Sequence, residues 1–142
     1  MKFIGFNFTK VNAERFSDDL NGLNLNNKMD ISKIESMDSK DNNKRVIKLS
    51  FKYEIDYNPN FAKINLSGEV FVLVDSELAE KITKQWKEDK KSLDEDFRVF
   101  AFNILLRKCN LKALELEDEM NLPIHLPLPS VKRGDSLEEK KE

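Results

Sequence analysis

Between Lys48 and Val74 apolar and polar positions alternate. Leu49, Phe51, Tyr53, Ile55 and Tyr57 fall between Lys48, Ser50, Lys52, Glu54 and Asp56. A two-residue period makes a continuous apolar face only in an extended backbone, so it predicts a half-buried strand. Asn58, Pro59 and Asn60 interrupt the run. From Phe61 it resumes as Ile64, Leu66, Val70, Val72 and Val74, set against Lys63, Asn65, Ser67 and Glu69. Two such runs joined by a short Asn-Pro-Asn loop predict a hairpin of long antiparallel strands. Upstream, Ile4, Phe6 and Phe8 alternate with Gly5, Asn7 and Thr9. This predicts a first strand reaching about Val11, with Phe3 on its opposite side. Asn12 to Asn27 holds Gly22 and five asparagines, and reads as a connection with a short strand at Leu23–Leu25. Met29, Ile31 and Ile34 predict a second strand, broken or bulged near Ser32 and Lys33. Asp38 to Lys44 is wholly polar and predicts a solvent turn.

The period then changes. Asp75 or Ser76 is placed to cap a helix presenting Leu78, Ile82 and Trp86 at intervals of four. Glu88 to Lys91 is a charged link. Ser92 with Glu95 has the form of a capping box, opening a second helix. Its apolar stripe is Leu93, Phe97, Phe100, Ala101, Ile104, Leu105 and Cys109, widened further on by Leu111, Leu114 and Leu116. Pro123, Pro127 and Pro129 end the helical reading, because proline lacks a donor and biases its predecessor toward extended geometry. Leu122, Ile124, Leu126 and Leu128 alternate through that segment as if laid along a surface. The expected fold class is α+β: a four-stranded antiparallel sheet packed on one face by a long C-terminal helix. One domain spans residues 1–131, followed by a charged, flexible tail at 132–142.

Composition narrows the function. At 142 residues the chain is one domain by length, able to bury roughly two thirds of its unfolded surface. Its 24 basic and 26 acidic residues nearly cancel, which argues against a nucleic-acid partner and its basic footprint. One cysteine and one histidine exclude a disulfide framework, a thiolate cluster and a multi-histidine zinc site within one subunit. Met1 to Ile4 gives way quickly to polar residues, and no run approaches a membrane span. A cytoplasmic location without membrane insertion is expected.

Catalytic signals are weak. Gly5 and Gly22 are too isolated for a phosphate loop, and Ser67-Gly68-Glu69 is not a nucleophile elbow. Asp94, Glu95 and Asp96 fall in a first helical turn, where the helix dipole accounts for them. Cys109 sits on the apolar stripe and reads as a small buried hydrophobe. His125 reads as a surface or packing residue rather than a general base. No enzyme activity and no cofactor are expected.

One feature of the fourth strand asks for a partner. Val70, Val72 and Val74 keep the inner face, while Phe71 and Leu73 make the other face apolar as well. A sheet covered by helices on one side should be polar there. Phe71 and Leu73, with Phe3 able to join them, need a second subunit, a ligand chain or an overlapping C-terminal segment.

Four strands, then a long helix bearing Arg107-Lys108-Cys109, then Leu122-Pro123-Ile124-His125-Leu126-Pro127-Leu128-Pro129, resemble the SecB family of export chaperones. Arg107 and Cys109 meet that family's Arg-x-Cys element, and Leu126 and Pro127 meet its Leu- and Pro-rich stretch. Phe8 to Arg15 and Ile104 to Ala113 look more closely like archaeal SecB-like proteins. The resemblance covers residues 3 to 131. It implies a homodimer or homotetramer acting as an ATP-independent holdase, which keeps unfolded polypeptides soluble in hydrophobic grooves. In bacterial members it also implies delivery to a translocase. The surplus apolar positions Phe3, Phe71 and Leu73, with Leu122, Ile124, Leu126 and Leu128, are then the candidate client-binding residues. The alternative is a non-catalytic oligomeric scaffold or interaction module.

Overall fold

The computed structural model describes residues 1–89 and 92–134; the end of the charged link and residues 135–142 of the expected tail lie outside them. Among the described residues four strands form one antiparallel sheet: β1 (Lys2–Arg15), β2 (Asn24–Asp38), β3 (Lys44–Asn58) and β4 (Ala62–Asp75). Their spatial order is β1-β4-β3-β2. The chain therefore crosses from one edge of the sheet to the other between β1 and β2, then returns by two hairpins, a Greek-key arrangement. Two helices follow, α1 (Ser76–Glu88) and α2 (Glu95–Glu119).

The alternation read from the sequence sets the layers. In β3 and β4 every second side chain, from Ile47 to Tyr57 and from Ala62 to Val74, is buried. Directly opposed residues share a face, so Ile47–Val72, Leu49–Val70, Tyr53–Leu66 and Ile55–Ile64 form the inner floor. α1 contributes Ala79 and Ile82 to it, with Leu78 and Trp86 partly buried beside them. α2 adds Phe97, Ala101, Leu105, Cys109 and Ala113 at strict four-residue intervals.

Three local readings change. β1 runs on to Arg15, and β2 is one continuous strand of 15 residues instead of two pieces. The expected irregularity in β2 is present as a register shift between Ile31 and Lys33, which returns Ile34 to the inner face opposite Leu49. The cap of α2 is Asp94, not Ser92. Its carboxylate accepts from the Phe97 amide at 3.1 Å, while the Ser92 hydroxyl donates to Asp89 at 2.8 Å. An aspartate immediately before the first turn was the nearer acceptor. At α1 the capping position is Asp75, whose side chain makes no cap hydrogen bond.

A further change bears on function. β1 carries register shifts between Phe3 and Gly5 and between Phe8 and Lys10. Each extra residue restarts the alternation. Phe3, Phe6 and Phe8 consequently oppose Val72, Val70 and Gly68 and all face the helices. Phe3 therefore does not join Phe71 and Leu73, which lie on the outer face.

Candidate functional site

Apolar surface remains uncovered in three places. The first is a corner of the outer sheet face. Leu73 lies opposite Val46, which lies opposite Met37, and in the next row Phe71 lies between Gly5 and Lys48. Phe71 and Leu73 are half-buried and Met37 is exposed. The remainder of that face is ionic. Lys48 reaches Glu69 at 2.7 Å and Glu35 at 3.7 Å, and Lys33 meets Glu35 at 2.7 Å. Hydrogen bonding to Lys33 holds the Glu35 carboxyl below its ordinary range, and Glu69 raises the Lys48 ammonium. Charged ground thus begins directly beside Phe71, at Lys48.

The second is a groove of about 430 Å³ between β1 and α2, lined by Phe3, Phe100, Ile104, Arg107, Lys108 and Leu111. It forms because α2 is apolar on more than its buried stripe. Phe100 and Ile104 lie one residue before the buried Ala101 and Leu105, turning toward β1. A helix apolar on several sides is one built to be covered. Phe3 is 42% and Leu111 58% exposed there. Lys108 extends over the Phe6 ring with its ammonium 5.8 Å from the centroid, leaving a cationic rim over an aromatic floor. Val99 and Leu106 are also exposed, on another side of α2.

The third is the segment after α2. The helix ends when Asn121 takes a positive φ of 52°. The Leu122 amide then bonds back to the Glu117 carbonyl at 2.8 Å and the Asn121 amide to Asp118 at 3.4 Å, the pairing of a Schellman motif. Arg15 supplies the missing positive charge at this helix end, donating to the Met120 and Asn121 carbonyls at 3.2 Å each while stacking on Phe61. Leu122 is only 6% exposed. It is consumed by this chain's own core, which removes it from the exposed candidates. Ile124 and Leu128 are exposed and Leu126 half-buried.

Beneath that segment is a polar cluster that the periodicity did not reveal. The side chains of His125 and Glu117 are both fully buried, with Nδ1 of the ring 2.8 Å from Oε1. Ring Nε2 lies 3.0 Å from Asn110 Oδ1, which also accepts from the Tyr53 hydroxyl at 3.0 Å. Glu117 Oε2 accepts from the His125 amide at 3.1 Å and from the Tyr57 hydroxyl. Burial, with Cys109 and Glu117 near it, pushes the Tyr53 phenol up to about 12. Burial and Glu117 raise Tyr57 further still, so both stay neutral donors. Of the two readings left open, surface or packing, His125 takes the packing one, buried against Glu117 and Asn110. The signal for Glu117 was its place in the series 97, 101, 105, 109, 113: a charged residue four positions beyond Ala113 was due to be buried.

Little in this arrangement is set up for bond chemistry. Burial pushes the Cys109 thiol up to about 12, a protonated sulfur without nucleophilic character. Arg107 lines the groove. Among the described residues no group of His, Cys, Asp and Glu is placed to hold a metal ion, and no helix is long and apolar enough to cross a membrane.

No protein-family model matches the sequence, and no curated protein does. Among solved structures, the SecB-like chaperone of Mycobacterium tuberculosis, bound to a ChAD peptide from an antitoxin, is similar with a TM-score of 0.51 at 15% identity. The likeness covers 94% of this chain and 92% of that one. Over nearly its whole length, the chain has the fold of a SecB-like chaperone.

Proposed function

We propose that this protein is an ATP-independent holdase that binds unfolded or non-native polypeptides on exposed apolar surface and keeps them from aggregating. The observation that carries the reading is the open groove between β1 and α2, an aromatic and aliphatic channel left uncovered on a SecB-like fold. An extended client burying apolar side chains there gains up to ~25 cal/mol for each Å² of apolar surface removed from water. Phe3 in the groove, Ile124, Leu126 and Leu128 on the C-terminal segment, and Phe71 and Leu73 at the outer corner are the contacts assigned to it. The peptide held by the mycobacterial neighbour supports polypeptide binding as the use of this fold.

Copies assemble into a homodimer or homotetramer through the free edge of β1 and the exposed stripe of Val99 and Leu106. A long unpaired edge is a template for another strand. The protein acts in the cytoplasm, performs no bond chemistry, and belongs with the archaeal SecB-like branch on the strength of Phe8 to Arg15 and Ile104 to Ala113. Hand-over of clients for export is the role it shares with bacterial members. A second reading, a non-catalytic scaffold, is favoured by the outer corner. There Met37, Val46 and Leu73 run unbroken across three strands and fit a specific assembly partner.

The test is aggregation of a chemically denatured protein diluted into buffer without nucleotide. A stoichiometric amount of this chain should slow light scattering several-fold. Equal rates with and without it contradict the holdase reading. One stoichiometric native partner, and no retention of unfolded chains, would favour the scaffold.

A further inference from the structure

The groove between β1 and α2 carries charge of one sign. Phe100, Ile104, Arg107, Lys108 and Leu111 share one face of α2 by their spacing of three and four. At 1.5 Å per residue they span roughly 16 Å, the length of about five residues of an extended chain. Phe100 and Ile104 line one end and Leu111 the other, with Arg107 and Lys108 between them. No carboxylate lines the groove. Among the described residues the ion pairs made by α2 side chains are Lys112 with Glu115 at 3.2 Å and Glu117 with His125 at 2.8 Å. Arg107 and Lys108 enter neither. Lys108 rests over the Phe6 ring, and both cations are exposed. The nearest acidic positions along α2, Asp96 and Glu115, fall one turn beyond the lining residues at either end.

We propose that this groove takes extended polypeptide segments in which apolar side chains adjoin aspartate or glutamate, and disfavours segments carrying lysine or arginine there. The proposal rests on the holdase reading and names its substrate class. Apolar side chains of such a segment cover Phe3, Phe100 and Ile104. An adjoining carboxylate meets Arg107, whose planar fork can take both its oxygens, and the point charge of Lys108. A basic side chain in the same place meets two cations and no anion. The chain's net charge of -2 does not reverse this preference, because charges more than ~8–10 Å away are screened at physiological salt. The local pair therefore decides. A second copy of the chain is the poorer occupant. A two-fold contact sets a patch against itself, and this patch offers two cations with no carboxylate to answer them.

The test uses the intact protein and synthetic peptides of about ten residues, long enough to overreach the groove. The peptides are identical in their apolar positions and carry glutamate, glutamine or lysine between them. By fluorescence anisotropy at low salt, the glutamate peptide should bind about tenfold more tightly than the lysine peptide, with glutamine between. At about 1 M salt, where screening acts within ~3 Å, the gap should close to about twofold or less. In Arg107→Glu/Lys108→Glu the order should invert, and in the milder Arg107→Gln/Lys108→Gln the three affinities should converge. Equal affinities in the wild type, a lysine preference, no binding of any peptide, or a glutamate preference that survives charge reversal overturns the proposal. So does a changed sedimentation mass in the glutamine variant, which would assign the groove to a contact between copies. Retention of a denatured protein is scored in parallel. Its absence removes the holdase reading and the substrate class with it, whereas retention without a preference among the peptides removes the substrate class alone.

Discussion

At Gly68 a Cβ would lie 2.2 Å from the Asn7 carbonyl oxygen and 2.9 Å from the tip of the Phe51 ring. The strand partner Phe51 leans across this glycine to meet Phe6 and Phe8, with ring centroids 5.5 and 6.4 Å away. Because a backbone oxygen cannot swing aside, Gly68→Ala should force β1 from β4 and cost about 1–3 kcal/mol, read by thermal or urea unfolding. In sequence this glycine was an unremarkable neighbour of Ser67. Its close approach comes from the register that sets Phe8 opposite it, and nothing local marks that pairing. The same limit hid the polar cluster. Tyr53 and Tyr57 read correctly as core positions, yet alternation says nothing of where a hydroxyl finds its acceptor. Tyr57→Phe, which deprives Glu117 Oε2 of a donor in a buried setting, should destabilise the fold by about 1–3 kcal/mol.

Among the elements, α2 was the most legible in extent and the least in detail. Its length and buried stripe follow from apolar spacing, whereas its ends depend on single side chains. Asp94 is held below the ordinary carboxylate range first by the Phe97 amide and then by Lys81. A lowered value in the folded state means the cap stabilises above the unfolded carboxylate range. That contribution is lost as pH falls through the folded value. Asp94→Ala should cost about 1 kcal/mol at neutral pH, and the difference from wild type should vanish in strong acid, as followed by urea titrations across pH. At the far end, Asn121→Gly should be neutral or stabilising by up to about 1 kcal/mol, and Asn121→Val destabilising, since a β-branched residue resists the left-handed conformation. β1 shows the converse. Its existence was plain from Ile4, Phe6 and Phe8, but the one added residue between Phe3 and Gly5 reassigned Phe3 from the outer face to the groove. A period-2 pattern carries the strand and loses track of the face once a bulge intervenes.

For the whole molecule, the sequence carries an excess of apolar faces. In the fold Phe71 and Leu73 do lie away from the helices, on the outer side of β4. The surplus is larger than the alternation suggested, because α2 and β1 together leave a second uncovered channel. The Greek-key order that makes β1 an edge strand beside β4 was not legible, since strand patterns fix faces and not neighbours. If copies join along β1, Val11→Pro should deny the edge a donor and reduce the sedimentation mass toward that of a monomer. Leu111→Glu, which places a carboxylate in the groove, should weaken client capture about tenfold or more while leaving the unfolding midpoint within about 0.5 kcal/mol of wild type. The most direct measurement is equilibrium binding of one fluorescently labelled test protein in two forms, native and permanently unfolded, without nucleotide. The account predicts saturable binding of the unfolded form with a Kd of about 1 μM or tighter and none of the native form; equal affinity for the two, or no binding of either, would contradict it.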